Sequence, residues 1–119
     1  MLVILEVQSG SHSGKRFRIR PGQHVRVGRS SGADLALPKD QFVSGAHFSL
    51  ENDTEKCWIT DLNSRNGTFV NGQQVQRVTA LNDGDTVLAG FTAFAVRMSE
   101  DDDGDSGPPP SVALLSATT

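Results

Sequence analysis

Along this chain apolar and polar residues alternate in short runs, and polar turn residues interrupt the runs at roughly the 8–12-residue spacing of sandwich folds. Residues 2–8 open with Leu, Val and Ile, and residues 15–20 set Phe17 and Ile19 between charged neighbours. Further runs follow at 24–27, at 35–37 (ended by Pro38), at 47–51, at 56–61 and at 68–70. A short run at 76–78 precedes two more, at 86–89 and 91–98. A period of two marks strands with one face buried, and no apolar stripe recurs at helical spacing over a useful length. About ten short strands separated by turns predict an all-β protein, either a β-sandwich or a barrel.

One stretch concentrates the turn chemistry. Residues 61–72 read Asp-Leu-Asn-Ser-Arg-Asn-Gly-Thr-Phe-Val-Asn-Gly, two Asn-Gly pairs around a three-residue strand. Asn-Gly favours tight turns because both residues tolerate positive φ. The spacing predicts a rigid polar loop at a sheet edge, with Arg65 between Ser64 and Asn66. A cation flanked by hydroxyl and amide groups suits an anion, and a phosphate above all. Asn71-Gly72 is expected to close a hairpin.

Charge changes the picture in one respect. Residues 1–98 hold all eleven Lys/Arg against nine Asp/Glu, a net of +2, whereas Glu100, Asp101, Asp102, Asp103 and Asp105 form an acidic cluster. A weakly positive body without a basic run argues against general nucleic-acid binding, which relies on many phosphate contacts. It leaves room for a local site that takes one phosphate. Residues 1–98 are expected to be the folded domain, and residues 99–119, acidic and rich in Pro and Gly, a disordered tail or linker.

Other chemistry is sparse. The single Cys57, beside Trp58 and Ile59, reads as a buried structural thiol. His12, His24 and His47 fall on separate elements without carboxylates or thiols at ligand spacing, so no metal site is expected. The opening apolar run stops at Glu6, too short for a signal-peptide core, and nothing later approaches a membrane span. A reducing, cytoplasmic setting is the expectation. Oligomeric state is left open.

Three patches then come into relation: Gly28-Arg29 at a strand end, Ser44-Gly45-Ala46-His47 entering a strand, and the loop carrying Arg65 and Asn66. In a sandwich these loops can gather at one end. Together they hold two guanidiniums, a hydroxyl, an amide and backbone N–H groups, the inventory of a phosphate socket. A Ser44–His47–Asp61 triad is disfavoured, because no strand–turn–helix elbow is available and Ser and His three apart would reach each other poorly. No enzymatic activity is expected.

The ordered set Gly-Arg, Ser-x-x-His and Asn-Gly-Thr-Phe-Val-Asn-Gly resembles the forkhead-associated (FHA) domain, a family of phosphothreonine-binding β-sandwiches, over residues 1–98. The resemblance implies 10–11 short, mostly antiparallel strands with the binding loops at one end. It implies that Arg29 and Ser44 hold the phosphate, that Arg65 adds a contact, and that Asn66 hydrogen-bonds the peptide backbone. His47 would brace the loops, and Gly28, Gly67, Asn71 and Gly72 would be structural. The sequence departs from the family at Gly45, often basic or amide-bearing, where only a backbone N–H remains. The implied partner is a protein phosphorylated on threonine by a Ser/Thr kinase in signal transduction, with no cofactor. The rival expectation is a phosphate-independent protein–protein interaction or assembly module on the same scaffold.

Overall fold

The computed structural model describes residues 1–100, and these form two packed sheets. The strands are β1 (Leu2–Val7), β2 (Arg16–Ile19), β3 (His24–Gly28), β4 (Leu35–Ala36), β5 (Phe48–Asn52) and β6 (Cys57–Asp61). They continue as β7 (Thr68–Val70), β8 (Gln73–Gln74), β9 (Thr79–Leu81), β10 (Thr86–Ala89) and β11 (Thr92–Ser99). One sheet runs β2-β1-β11-β10-β7-β8 and the other β4-β3-β5-β6-β9. The observed pairings are antiparallel except β3 with β4. The architecture is the β-sandwich, not the barrel. The acidic segment assigned to the tail lies, from Asp101 onward, outside the described residues.

Alternation builds the core directly. Val3, Leu5 and Val7 of β1, Val25 and Val27 of β3, Val87 and Ala89 of β10, and Phe94 and Val96 of β11 all face inward. Phe48 of β5 and Phe94 of β11 meet edge to face across the sheets, ring centroids 5.8 Å apart. Such a contact adds about 0.5–1.5 kcal/mol beyond burial alone. Cys57 is fully buried, and burial pushes its thiol up to about 12.

One expected strand is corrected. Residues 76–78 are not a strand but the link between β8 and β9. Val78 is 54% exposed, and the inward-facing residue of this segment is Val75, whose N–H donates to the Thr68 carbonyl. Alternation gave no warning, because β8 consists of two exposed glutamines with no apolar face.

Register decides where the loops meet. Phe48 pairs with both Val27 and Asp61, while Ala89 pairs with both Thr68 and Thr92. The β3–β4, β4–β5 and β6–β7 loops and the β10–β11 turn therefore project from one end. The β6–β7 loop is not simply a hairpin at an edge, since it crosses from one sheet to the other. Ser99 pairs with Leu2 at the opposite end.

Candidate functional site

The β3–β4 and β4–β5 loops are zipped together by their backbones. The Arg29 N–H donates to the Ser44 carbonyl at 2.9 Å, and the Ser30 N–H to the Gly45 carbonyl at 3.2 Å. Gly28 makes this approach possible: a Cβ there would collide with the Gly45 carbonyl oxygen and lie 2.8 Å from its carbon. Below, Asp40 is 6% exposed and ties the β4–β5 loop to the β10–β11 turn. Its carboxylate accepts from the Phe42 N–H at 2.9 Å, the Phe91 N–H at 2.9 Å and the Thr92 hydroxyl at 2.6 Å.

The β6–β7 loop is organised on Asp61. One carboxylate oxygen accepts from the hydroxyls of Ser64 (2.5 Å) and Thr68 (2.6 Å), the other from the Ser64 N–H at 3.1 Å. Burial acts to raise the Asp61 carboxyl, but the hydrogen bonds from Ser64 and Thr68 outweigh it and hold the group below its ordinary value. Ser64 Oγ in turn accepts from the Gly67 N–H at 3.0 Å. The first Asn-Gly pair is not a turn with two left-handed residues: Gly67 has φ +85°, and the other left-handed residue is Asn63 at φ 58°. The second pair is, with Asn71 at 51° and Gly72 at 85°. Asn71 accepts from the Thr86 N–H and donates to Asp85, which fixes the hairpin at some remove from the cleft.

His47 joins the two halves. It is fully buried; its Nδ1 accepts from the Ser44 N–H at 3.0 Å, and its Nε2–H donates to the Gly67 carbonyl at 2.8 Å. Both bonds together require the neutral Nε2–H tautomer. Backbone groups thus occupy both ring nitrogens. Ser44 Oγ accepts instead from the Arg65 N–H at 3.0 Å, and Asp61 is engaged by Ser64 and Thr68. The arrangement is a clamp between loops and lacks the relay of a Ser-His-Asp triad.

Above the clamp lies a cleft of about 380 Å³ lined by Arg29, Ser44, Gly45, Arg65 and Asn66, with Gln41, Phe42, Val43 and Asn63. All five residues expected to touch a ligand therefore share one cavity. Arg29 and Arg65 are exposed, and neither is paired with a carboxylate among the described residues. The Asn66 amide donates to the Phe42 carbonyl at 2.8 Å, which leaves its oxygen as an acceptor toward the cleft. Gly28, Gly67 and His47 lie beneath the cleft. Sequence reasoning missed Asp40, Asp61 and Asn63 as parts of the site, and it missed Phe42, which packs against Phe91 with the rings tilted by 48° and centroids 4.3 Å apart. Both rings are exposed, Phe91 at 67%.

The end loops of this β-sandwich bring two guanidiniums, a hydroxyl and an amide to one cleft, groups whose chemistry suits an anion. The FHA-domain family model matches residues 25–90, and the chain belongs to that family. Among curated proteins it is 38% identical over 96 residues to the FHA domain-containing protein FhaA of Mycobacterium tuberculosis, covering 81% of this chain and 17% of that protein. It is 35% identical over 97 residues to the FHA domain-containing protein At4g14490 of Arabidopsis thaliana, covering 78% of this chain and 25% of that one. The chain thus spans a quarter or less of these relatives. Among solved structures, an FHA domain characterised for phosphothreonine-dependent FHA domain interactions superposes with a TM-score of 0.75 at 35% identity, over 83% of this chain and 98% of that chain. The FhaA FHA domain complexed with the intracellular domain of Rv3910 gives 0.71 at 36% identity, over 80% and 99%.

Proposed function

We propose that this domain binds a phosphothreonine-containing segment of a partner protein and does no chemistry on it. Arg29 and Arg65 pair the phosphate dianion; Ser44 donates its hydroxyl proton to it; the Gly45 N–H adds a donor; and the Asn66 oxygen aligns the peptide backbone. Val43, next to Ser44, is 1% exposed and packs in the core under the cleft. His47, Gly28 and Gly67 support the loops from beneath, and Asn71 and Gly72 fix the neighbouring hairpin. The kinase that supplies the mark is a Ser/Thr kinase, which places the domain in phosphorylation-dependent signalling.

The observation that carries this reading is the state of Ser44. Its oxygen is already accepting from the Arg65 N–H, so its proton is the free donor, and it lines the cleft together with Arg29 and Arg65, which no carboxylate among the described residues pairs. The experiment is a titration with phosphothreonine, phosphoserine and unmodified forms of one peptide, repeated with Arg29→Ala. Loss of a bidentate charged contact is expected to weaken phosphopeptide binding about 100-fold, from roughly 3 kcal/mol. Equal binding of all three peptides by wild type and variant would sink the proposal.

Gly45 favours a second reading, a phosphate-independent interaction module, because it brings no side chain to the cleft. The same titration separates the two: this module binds the unmodified peptide as well as the phosphorylated one.

A further inference from the structure

We propose that Asn63 supplies a further side-chain contact to the bound phosphate, in place of the side chain that Gly45 lacks; this rests on the phosphothreonine reading above. Asn63 lines the same cleft as Arg29, Ser44, Gly45 and Arg65. It is exposed, and its amide makes no hydrogen bond among the described residues, whereas the side chains of Ser64 and Asn66 on the same loop are already bonded. Ser64 is bonded to Asp61 and to the Gly67 N–H, and the Asn66 amide to the Phe42 carbonyl.

Its backbone points the same way. At φ 58° the position favours glycine, with asparagine among the best tolerated of the other residues. Turn geometry alone would be served at least as well by glycine, so the amide is the part of Asn63 that the turn does not explain. A left-handed residue three positions before Asn66 also holds that amide on a loop already locked by Asp61, which keeps the ordering cost of a contact low. The amide N–H groups are the right chemistry for a phosphate oxygen between two guanidiniums.

The distinguishing variant is Asn63→Gly, which keeps the backbone conformation and removes the amide. The ligand is a phosphothreonine peptide with randomised flanking residues, with its unmodified form as control and Arg29→Ala alongside. Asn63→Gly is expected to raise the phosphopeptide Kd about fivefold to tenfold with the thermal midpoint unchanged. Phosphopeptide affinity equal to wild type, while Arg29→Ala still loses binding, overturns the role of Asn63 and leaves the phosphothreonine reading intact. Wild type that binds both peptides alike overturns both. If Asn63→Gly shifts the thermal midpoint, Asn63→Asp decides, measured near 1 M salt where through-space repulsion is screened. A persistent loss then supports the contact, and wild-type affinity removes it.

Discussion

The two ends of the sandwich are built from similar residues and differ in which polar groups are left over. At the end away from the cleft, the β5–β6 turn (residues 53–56) is rich in charge, and Asp53 and Lys56 are engaged within the turn itself. Asp53 accepts from the Trp58 indole N–H at 2.8 Å and from the N–H groups of Glu55 and Lys56, and the Lys56 ammonium lies 5.6 Å from the Trp58 ring centroid. At the cleft end several polar side chains are occupied in holding loops: His47 bonds Ser44 and Gly67, Asp40 bonds Phe91 and Thr92, and the partly buried Asp61 bonds Ser64 and Thr68, whereas the buried His12 takes the Lys39 N–H on Nε2 and leaves Nδ1 without a partner among the described residues. Among the described residues, groups left unspent around the cleft include Arg29, Arg65, the Ser44 proton, the Gly45 N–H and the Asn63 and Gln41 amides. Polarity by itself does not distinguish the two ends; what differs is whether the polar groups are bonded within their own turn or hold neighbouring loops around a cleft.

The strongest way to break that comparison is to remove the support. His47→Ala leaves the Ser44 N–H and the Gly67 carbonyl without their buried partner and opens a cavity. It should cost about 3 kcal/mol in urea denaturation and weaken phosphopeptide binding more than tenfold in the fraction that folds. Trp58→Phe at the other end removes one exposed hydrogen bond, to Asp53, from the β5–β6 turn, and phosphopeptide affinity should be unchanged. Equal effects of the two on affinity would mean that the ends are not functionally distinct.

Acid titration sharpens the contrast at Asp61. Its folded-state pKa is depressed, so it contributes stability above the unfolded carboxyl's value, and that stability is lost as pH falls through the lower folded value. Asp61→Asn should therefore flatten the acid limb of the stability profile below about pH 4, the ordinary carboxylate range, and reduce stability at neutral pH. A profile identical to wild type would show that the Asp61 network does not hold the β6–β7 loop.

The smallest expected effect is a gain. A Cβ on Gly45 would meet the Ser30 Cβ at 3.8 Å, an ordinary contact, and the backbone there is not left-handed. Gly45→Lys should fit without strain and tighten phosphopeptide binding about threefold to tenfold, measured by titration at moderate salt. No change would mean that this position faces away from the phosphate, and a loss would mean that its backbone N–H was the working group.

Much of this was legible in the residues. A period of two reports one-sided burial, so strands with an apolar face such as β1, β3 and β10 declare themselves, whereas β8, Gln73–Gln74, has no apolar face to declare. Ordered motifs brought Arg29, Ser44, Arg65 and Asn66 together because each is marked by neighbouring turn chemistry. Asp40 carries no such mark. Its role is a set of bonds to residues about fifty positions away, and only the packing of the β4–β5 loop against the β10–β11 turn creates it.

The first Asn-Gly pair of residues 61–72 shows the boundary best. Local propensity marked a turn there with positive φ, and the chain adopts it at Gly67. That the second left-handed residue is Asn63 rather than Asn66 follows from Asp61 reaching forward to Ser64 and Thr68, while His47 draws the Gly67 carbonyl inward. Local sequence determined that this chain is all-β with a cationic turn, because burial and turn preference are properties of near neighbours. Tertiary structure alone decided which donors stay free, because a hydrogen bond between distant residues exists only once register has placed them together.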